Sequence, residues 1–267
     1  MGRYTNKTIL FRVNQDNEEE YRVAKKIFDV QTNRTHCPES LVIGRYSVLP
    51  YYKELEEDLS TFDSTLINSY SQHRYIANFD YYEDLKDYTF ETWFDLREIP
   101  DFTRFVVKGR TNSRKFQWDK LMYAKDRTRA IEIAHELMGD PLIGDQGVIV
   151  RRFEDLELIE EGINGIKFVN EHRIFYYNDK RLASGYYWTS LGRSIETPIE
   201  ALVFADDIAK IVSQHTNFFV LDVAKNCNSK WRLVEVNDGQ MSGLSYCNPY
   251  ELYVNLKDAL DNDPTLP

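Results

Sequence analysis

Residues 218–244 read FFVLDVAKNCNSKWRLVEVNDGQMSGL. Two apolar runs, 218–223 and 231–236, flank a polar turn at 225–230. Runs of strand length on either side of Asn and Ser residues predict a β-hairpin. Each run carries an acid where a half-buried strand is usually apolar: Asp222 in the first, Glu235 in the second. Asn237 follows Glu235 by two residues and so shares its face of the strand. Two carboxylates and a carboxamide oxygen on adjacent strands suit a hard cation, Mg²⁺ above all, held together with phosphate oxygens. The competing reading is a surface hairpin whose charges face water.

The rest of the chain supplies a setting for that hairpin. Its 267 residues are enough for one large domain or two small ones with a sizeable core. A hydrophobic content of 42% with 14% aromatics marks a globular chain rather than a disordered one. The net charge of −10 argues against general nucleic-acid binding. Cys37, Cys227 and Cys247 show neither paired-motif nor metal spacing, so neither a disulfide framework nor a zinc site is expected. The five histidines lack metal spacing as well. Without a membrane-length apolar run or a signal-peptide core, a soluble, cytoplasmic protein is expected.

Taken in order, strands are expected at 8–13, 41–43 and 66–68, with helices at 18–30 and 51–59 between them. This alternation predicts a small α/β unit with a parallel sheet. Arg45 lies just past a strand end, where open α/β sheets bind ligands, and is a candidate substrate contact. The Tyr-rich segment 70–90 reads as a helical connection between two lobes. Beyond it come strands at 105–107 and 148–150, a helix at 125–138, strands at 166–169, 173–177 and 182–188, a helix at 200–214, the hairpin, and a closing helix at 250–260.

Lys108 ends an apolar strand and precedes a loop of Gly, Thr, Asn and Ser, a placement that suits a point charge on a phosphate. The loop does not match the Walker pattern. Residues 104–129 carry nine Lys and Arg against two Asp, a local reversal of charge that fits a polyanion such as ATP. Glu171 and Arg173 share a strand face, and an arginine beside a phosphate could stabilise transferring charge. The plainer reading of that pair is a surface ion-pair neighbourhood. No GxSxG elbow is present.

The succession of a strand ending in Lys108, then GVIVRRF (147–153), EHRIF (171–175), VLDVA (220–224) and VEVND (234–238), resembles the ATP-grasp superfamily, in particular its small clade common in phages and bacteria. The resemblance spans residues 105–244. It implies an α/β fold in which an N-terminal α/β unit (1–92) precedes an ATP-grasp domain (93–267) holding the nucleotide between two α+β lobes. It implies that Lys108 contacts ATP phosphates, and that Val150, Arg151, Arg152 and Phe153 form the strand along the adenine. Arg173 would lie near the γ-phosphate or acyl-phosphate, and Asp222, Glu235 and Asn237 would hold Mg²⁺. The activity implied is ATP-dependent, ADP-forming ligation of a carboxylate to an amine through an acyl-phosphate. Departures are a phosphate flap with Gly109 as its one glycine in 104–120, and Arg151 and Arg152 where many relatives carry an acid. Arg45 and residues 186–188 are candidates for lining the acceptor site. Two other readings are an ATP-dependent enzyme acting on a nucleic-acid end or modified base, and a non-catalytic nucleotide-binding module. Glu235→Gln and Asn237→Ala are expected to abolish Mg·ATP turnover while leaving thermal unfolding nearly unchanged.

Overall fold

Apolar residues alternate between two cores along the first strand, β1 (Asn6–Phe11): Ile9 and Phe11 enter one, Leu10 the other. A parallel sheet covered on both faces demands this double-sided pattern. The chain continues through α1 (Glu18–Ala24), β2 (Asp29–Gln31), β3 (Ser40–Arg45), α2 (Tyr52–Ser60), β4 (Thr65–Leu66) and α3 (Tyr70–Ala77). In β3, Leu41 and Ile43 join Ile9, and Val42 joins Leu10. The sheet order is β2-β1-β3-β4, and each pairing is parallel. The computed structural model describes residues 6–101, 103–141, 143–162 and 167–266.

The helix expected at 18–30 is shorter. It stops at Ala24, and residues 29–31 pair with β1 through Thr8, Ile9 and Leu10. Ile27, Phe28 and Val30 pack on the core beside β1. Burial selected the same residues, while strand pairing satisfied the backbone differently.

The chain divides into two compact units. One comprises Met1–Tyr75, His172–Asp222 and Val236–Pro267; the other comprises Ile76–Glu171 and Val223–Glu235. In the second, α4 (Tyr81–Leu85) and β5 (Thr92–Trp93) lead to β6 (Phe105–Gly109), α5 (Trp118–Leu121), β7 (Tyr123–Ala124), α6 (Arg127–Met138) and β8 (Val148–Arg152). The sheet order is β5-β8-β6-β7, antiparallel in each pairing. Helix α6 opens on Asp126, whose carboxylate accepts from Arg129 N at 2.8 Å. It buries Ala130, Ile133, Ala134 and Leu137 against Phe105, Val107, Val148 and Val150. With those alternate residues in the core, Val106, Lys108, Ile149 and Arg151 face the other side of the sheet. A short antiparallel pair, β9 (Leu158–Glu161) and β10 (Lys167–Val169), follows. Ile166, expected to begin that second strand, lies outside the described residues.

Next come β11 (Glu171–Tyr177), β12 (Lys180–Tyr186), α7 (Ile199–Val212), β13 (Phe218–Lys225), β14 (Trp231–Asp238) and α8 (Pro249–Asp261). The four strands form a sheet in the order β12-β11-β13-β14, so the expected hairpin is present. Helix α8 starts where Asn248 caps the amides of Tyr250 and Glu251, with Pro249 at its first position. It buries Leu252, Tyr253, Leu256, Ala259 and Leu260 against the core that holds Ile9 and Phe175.

Candidate active site

Lys108 and Arg151 project from one face of an antiparallel sheet, because Val106 pairs with Arg151 and Lys108 with Ile149. That register makes Lys108 and Arg151 diagonal neighbours, roughly 7–8 Å apart in such a ladder. Lys108 donates from Nζ to Glu235 Oε1 in an ion pair whose side chains are 9% and 12% exposed. Arg151 is also buried. Its Nη1 donates to the Val234 carbonyl at 2.6 Å, its Nη2 to Thr89 Oγ1 at 2.6 Å, and its Nε to Thr92 Oγ1 at 3.3 Å. Its guanidinium carbon lies 4.9 Å from the Phe90 ring centre. Arg151 is thus fixed by neutral oxygens and an aromatic face, with its charge left to act on its surroundings.

Glu235 therefore stands among more positive charge than negative. Burial pushes its carboxyl pKa up, but Lys108, Lys115 and Arg151 outweigh burial and hold it below the ordinary carboxylate value. Lys108 is shifted down as well: burial leads, Arg151 and Lys115 add to it, and Glu235 opposes them. Both shifts run downward for different reasons: burial leads for Lys108, and the neighbouring cations decide for Glu235. Buried charge of one sign draws a counter-ion of the other.

A second pair belongs to the other compact unit. In β13, Phe218, Val220 and Asp222 share a face, and the first two are core residues. Asp222 thus occupies an apolar row and is 1% exposed. Arg173, in the matching row of β11 with Phe175 and Tyr177, donates Nε to Asp222 Oδ1 at 2.9 Å and Nη2 to Oδ2 at 2.7 Å. This fork is the strong geometry for an arginine and a carboxylate. Asn237 Nδ2 donates to Asp222 Oδ2 at 3.0 Å. Arg173 also donates Nη1 to the Gly243 carbonyl at 2.7 Å and lies 4.9 Å over the Tyr187 ring. The neighbouring His172 is buried, which lowers its pKa to about 4.

The loop after β14 is held by residues that sequence spacing did not single out. Asp238 accepts from Asn68 Nδ2 at 3.0 Å and lies 3.0 Å from His73 Nδ1. His73 stacks on Tyr52 at 4.1 Å between ring centres, and Tyr52 receives a hydrogen bond from Gln240. Gln240 Oε1 accepts from Gly44 N at 3.0 Å. The motif VEVND contains Asp238, but nothing local shows that its partners lie at residues 68 and 73.

Arg45, the candidate at the strand end, is 5% exposed. It donates Nε to Glu20 Oε1 at 2.8 Å, pairs with the same oxygen through Nη2 at 2.7 Å, and donates Nη1 to the Gly239 carbonyl. Of residues 186–188, Tyr186 is buried, while Tyr187 and Trp188 are half-buried.

In the basic segment, Arg104 pairs with Asp155 at 2.7 Å, Arg114 with Asp140, Arg127 with Asp101 at 3.4 Å, and Arg129 with Glu132 at 2.9 Å. These pairs neutralise much of the charge that set the segment apart. The flap is anchored within its own unit: Asn112 donates to Gln146 Oε1 at 2.8 Å, and Arg114 Nε to Asp140 Oδ2 at 2.8 Å.

Val150 lies in the core of β8, an interior strand between β5 and β6. The Arg152 amide donates to the Glu91 carbonyl at 2.8 Å and the Phe153 amide to the Arg104 carbonyl at 2.9 Å. Arg152 and Phe153 also line a pocket of about 670 Å³ with Arg104, Glu154, Asp155 and the hairpin tip.

Among the described residues no three His, Cys, Asp or Glu side chains converge as a metal cage. Asp222 and Glu235 each offer carboxylate oxygens and Asn237 a carboxamide oxygen, the donor type that Mg²⁺ takes. By donor chemistry they fit that ion. The expectation that Glu235→Gln leaves unfolding unchanged is corrected, since Glu235 is the buried partner of Lys108. No helix among the described residues is long and apolar enough to cross a membrane.

No curated protein matches the sequence. Solved structures do match in fold. D-cycloserine synthetase DcsG superposes with a TM-score of 0.64 at 12% identity, over 95% of this chain and 98% of that one. D-alanine–D-alanine ligase from Bacillus anthracis, complexed with ATP, gives 0.53 at 11% identity, over 87% and 84%. The ATP-grasp ligase PsnB, complexed with minimal precursor, Mg and ADP, gives 0.55 at 9% identity, over 95% and 96%. Identities this low establish likeness of fold. A family profile described as an ATP-grasp domain, the third family of its clade, matches residues 97–256, more than half the chain. With strand-borne Lys108, the hairpin acids and the fold all within that span or around it, the chain belongs to this ATP-grasp domain family.

Proposed function

We propose that this protein is an ATP-dependent, ADP-forming ligase that joins a carboxylate to an amine. The observation that carries the reading is the buried excess of positive charge around Glu235, within a chain of the ATP-grasp family. Lys108, Lys115 and Arg151 offer a triphosphate the positive field it needs, and the burial of Lys108 and Arg151 strengthens their share of it. Arg173, fixed by the Gly243 carbonyl and Tyr187, is the cation for the transferred phosphoryl group. Residues 150–153 run along the adenine. With the Arg152 and Phe153 amides already bonded, side chains and carbonyl oxygens are left to read the base.

In the first step a substrate carboxylate oxygen attacks the γ-phosphorus. The bond from phosphorus to the bridging oxygen breaks and ADP leaves. The amine nitrogen then attacks the acyl carbon. Phosphate departs with the carbon–oxygen electron pair, and the amine gives up a proton to leave an amide. Asp222, Glu235 and Asn237 would hold Mg²⁺, which supplies neutralisation of charge on the phosphate oxygens. No protein nucleophile is required.

The test is incubation with ATP, Mg²⁺ and a mixture of amino acids and peptides, read as ADP and phosphate. Release that depends on an added carboxylate and amine supports the ligase. Tight ATP binding without release for any acceptor would refute it in favour of a non-catalytic nucleotide-binding module.

A further inference from the structure

A pocket of about 340 Å³ lies at the carboxyl ends of β1 and β3. In the order β2-β1-β3-β4 these two strands flank the point where successive connections leave in opposite directions, the usual binding crevice of an open α/β sheet. Its lining includes Arg12, Glu20, Arg45, Tyr46, Gln240 and Gly243, all within one compact unit.

The charges in this pocket are used unevenly. Glu20 is 7% exposed, and its Oε1 accepts from Arg45 Nε and from Tyr253 OH, the latter at 2.7 Å, and forms an ion pair with Arg45 Nη2. Its other oxygen, Oε2, takes no hydrogen bond among the described residues. A carboxylate oxygen open to a polar pocket accepts a donor from a ligand there, and a cationic donor is strongest. Arg12 has no carboxylate partner among the described residues, and its guanidinium lies 5.1 Å over the Tyr46 ring. Arg45 and Glu20 neutralise each other, so Arg12 leaves the pocket with one net positive charge. The complementary ligand carries an ammonium group and one net negative charge. That describes a free amino acid with two carboxylates.

We propose that this pocket binds a free acidic amino acid, with its ammonium on Glu20 and one carboxylate on Arg12, leaving the second carboxylate for activation. An ammonium held on a carboxylate stays protonated and is no nucleophile. The bound molecule is therefore the carboxylate partner in ligation, and the amine comes from another molecule. The volume is roughly ten waters' share of liquid, which suits a free amino acid. The loop that lines one side of the pocket carries Gly243, whose carbonyl accepts from Arg173. Use of the second carboxylate rests on the ligase reading; recognition of the amino acid does not.

The test is calorimetric titration of the full chain with L-glutamate and L-aspartate, beside glutarate, which lacks the ammonium, and 4-aminobutyrate, which lacks a carboxylate. ATP affinity is measured in parallel. L-glutamate or L-aspartate should bind at least about tenfold more tightly than either control, the scale of one lost charged hydrogen bond. Arg12→Ala and Glu20→Gln should each weaken that binding by about tenfold or more and leave ATP affinity unchanged. Arg12 is exposed, so its variant decides the matter if Glu20→Gln fails to fold. ATP binding without acidic amino-acid binding, or unchanged binding in Arg12→Ala, would overturn the pocket assignment. Selective amino-acid binding in a protein that does not bind ATP would support the pocket and overturn the ligase reading.

Discussion

Replacing Lys108 by Met removes one half of a buried ion pair and keeps most of the side-chain volume. Glu235 would then sit 12% exposed without the cation that bonds it. Breaking a buried pair from one side costs about 3–5 kcal/mol. Arg151 and Lys115 still act on Glu235, so the lower end applies, about 3 kcal/mol. For a chain of this size that is a fall of about 6–12 °C in Tm. The loss should depend on pH. In the wild type the folded-state pKa of Glu235 is depressed, so its contribution is full above the unfolded carboxyl value and disappears as pH falls through the folded value. Without Lys108 that depression shrinks, and the gap between variant and wild type should widen from pH 4 to pH 7. Adding Glu235→Gln to Lys108→Met removes the unpaired charge and should restore about half or more of the loss. Urea unfolding of the wild type, both single variants and the double variant at the two pH values measures this. A single variant within about 1 kcal/mol of wild type at pH 7, or a double variant no more stable than Lys108→Met, would refute the buried-pair argument.

Asp222→Asn should lower stability by about 3 kcal/mol by leaving Arg173 opposite a neutral group, and should abolish ADP release; urea unfolding and a phosphate assay check the two effects separately. His172, with its pKa lowered to about 4, stays neutral in the folded chain where the unfolded chain binds a proton. Stability should therefore fall by up to about 3 kcal/mol from pH 7 to pH 4, and His172→Gln should flatten that part of the urea midpoint profile. Gly109→Ala would set a Cβ 2.9 Å from both the Asn112 carbonyl oxygen and Ile143 Cγ2. A cost of about 1–3 kcal/mol is expected, with faster amide exchange in the flap that follows.

The hairpin is legible in the sequence because its signal is local: apolar runs of strand length, a turn, and acids where the pattern calls for apolar residues. The parallel unit is legible for the same reason, since β1 and β3 are apolar on both faces. What each acid touches is not local. Asp238 meets His73 across 165 residues of chain, and Tyr253 meets Glu20 across 233. No periodicity carries that information. Strands β5 and β7 have two residues each, too few to show alternation. The end of α1 was ambiguous in another way. Ile27 and Phe28 continue the helical spacing of Tyr21 and Ala24, yet the helix stops at Ala24 and residues 29–31 pair with β1 instead.

Both acids of the hairpin are already bonded to cations, and this changes how site variants must be interpreted. Lys108 on Glu235 and Arg173 on Asp222 place each proposed phosphate contact on a proposed Mg²⁺ ligand. Removing any one of the four therefore loses a ligand or a phosphate contact and also strands a buried charge. A dead Glu235→Gln enzyme does not by itself assign Glu235 to the metal, because the misplaced Lys108 gives the same result. Asn237 separates the two effects. It is half-buried and neutral, and the one hydrogen bond it gives Asp222, at 3.0 Å, is the weaker part of a carboxylate already forked by Arg173. Its loss should cost about 1 kcal/mol of stability. If Asn237→Ala keeps its fold and its ATP affinity in the absence of Mg²⁺, but loses the gain in affinity that Mg²⁺ confers, the metal assignment stands on a residue that strands no charge. An unchanged Mg²⁺ dependence in that variant would remove Asn237 from the set, and would leave the pattern Glu-x-Asn as a structural feature of β14.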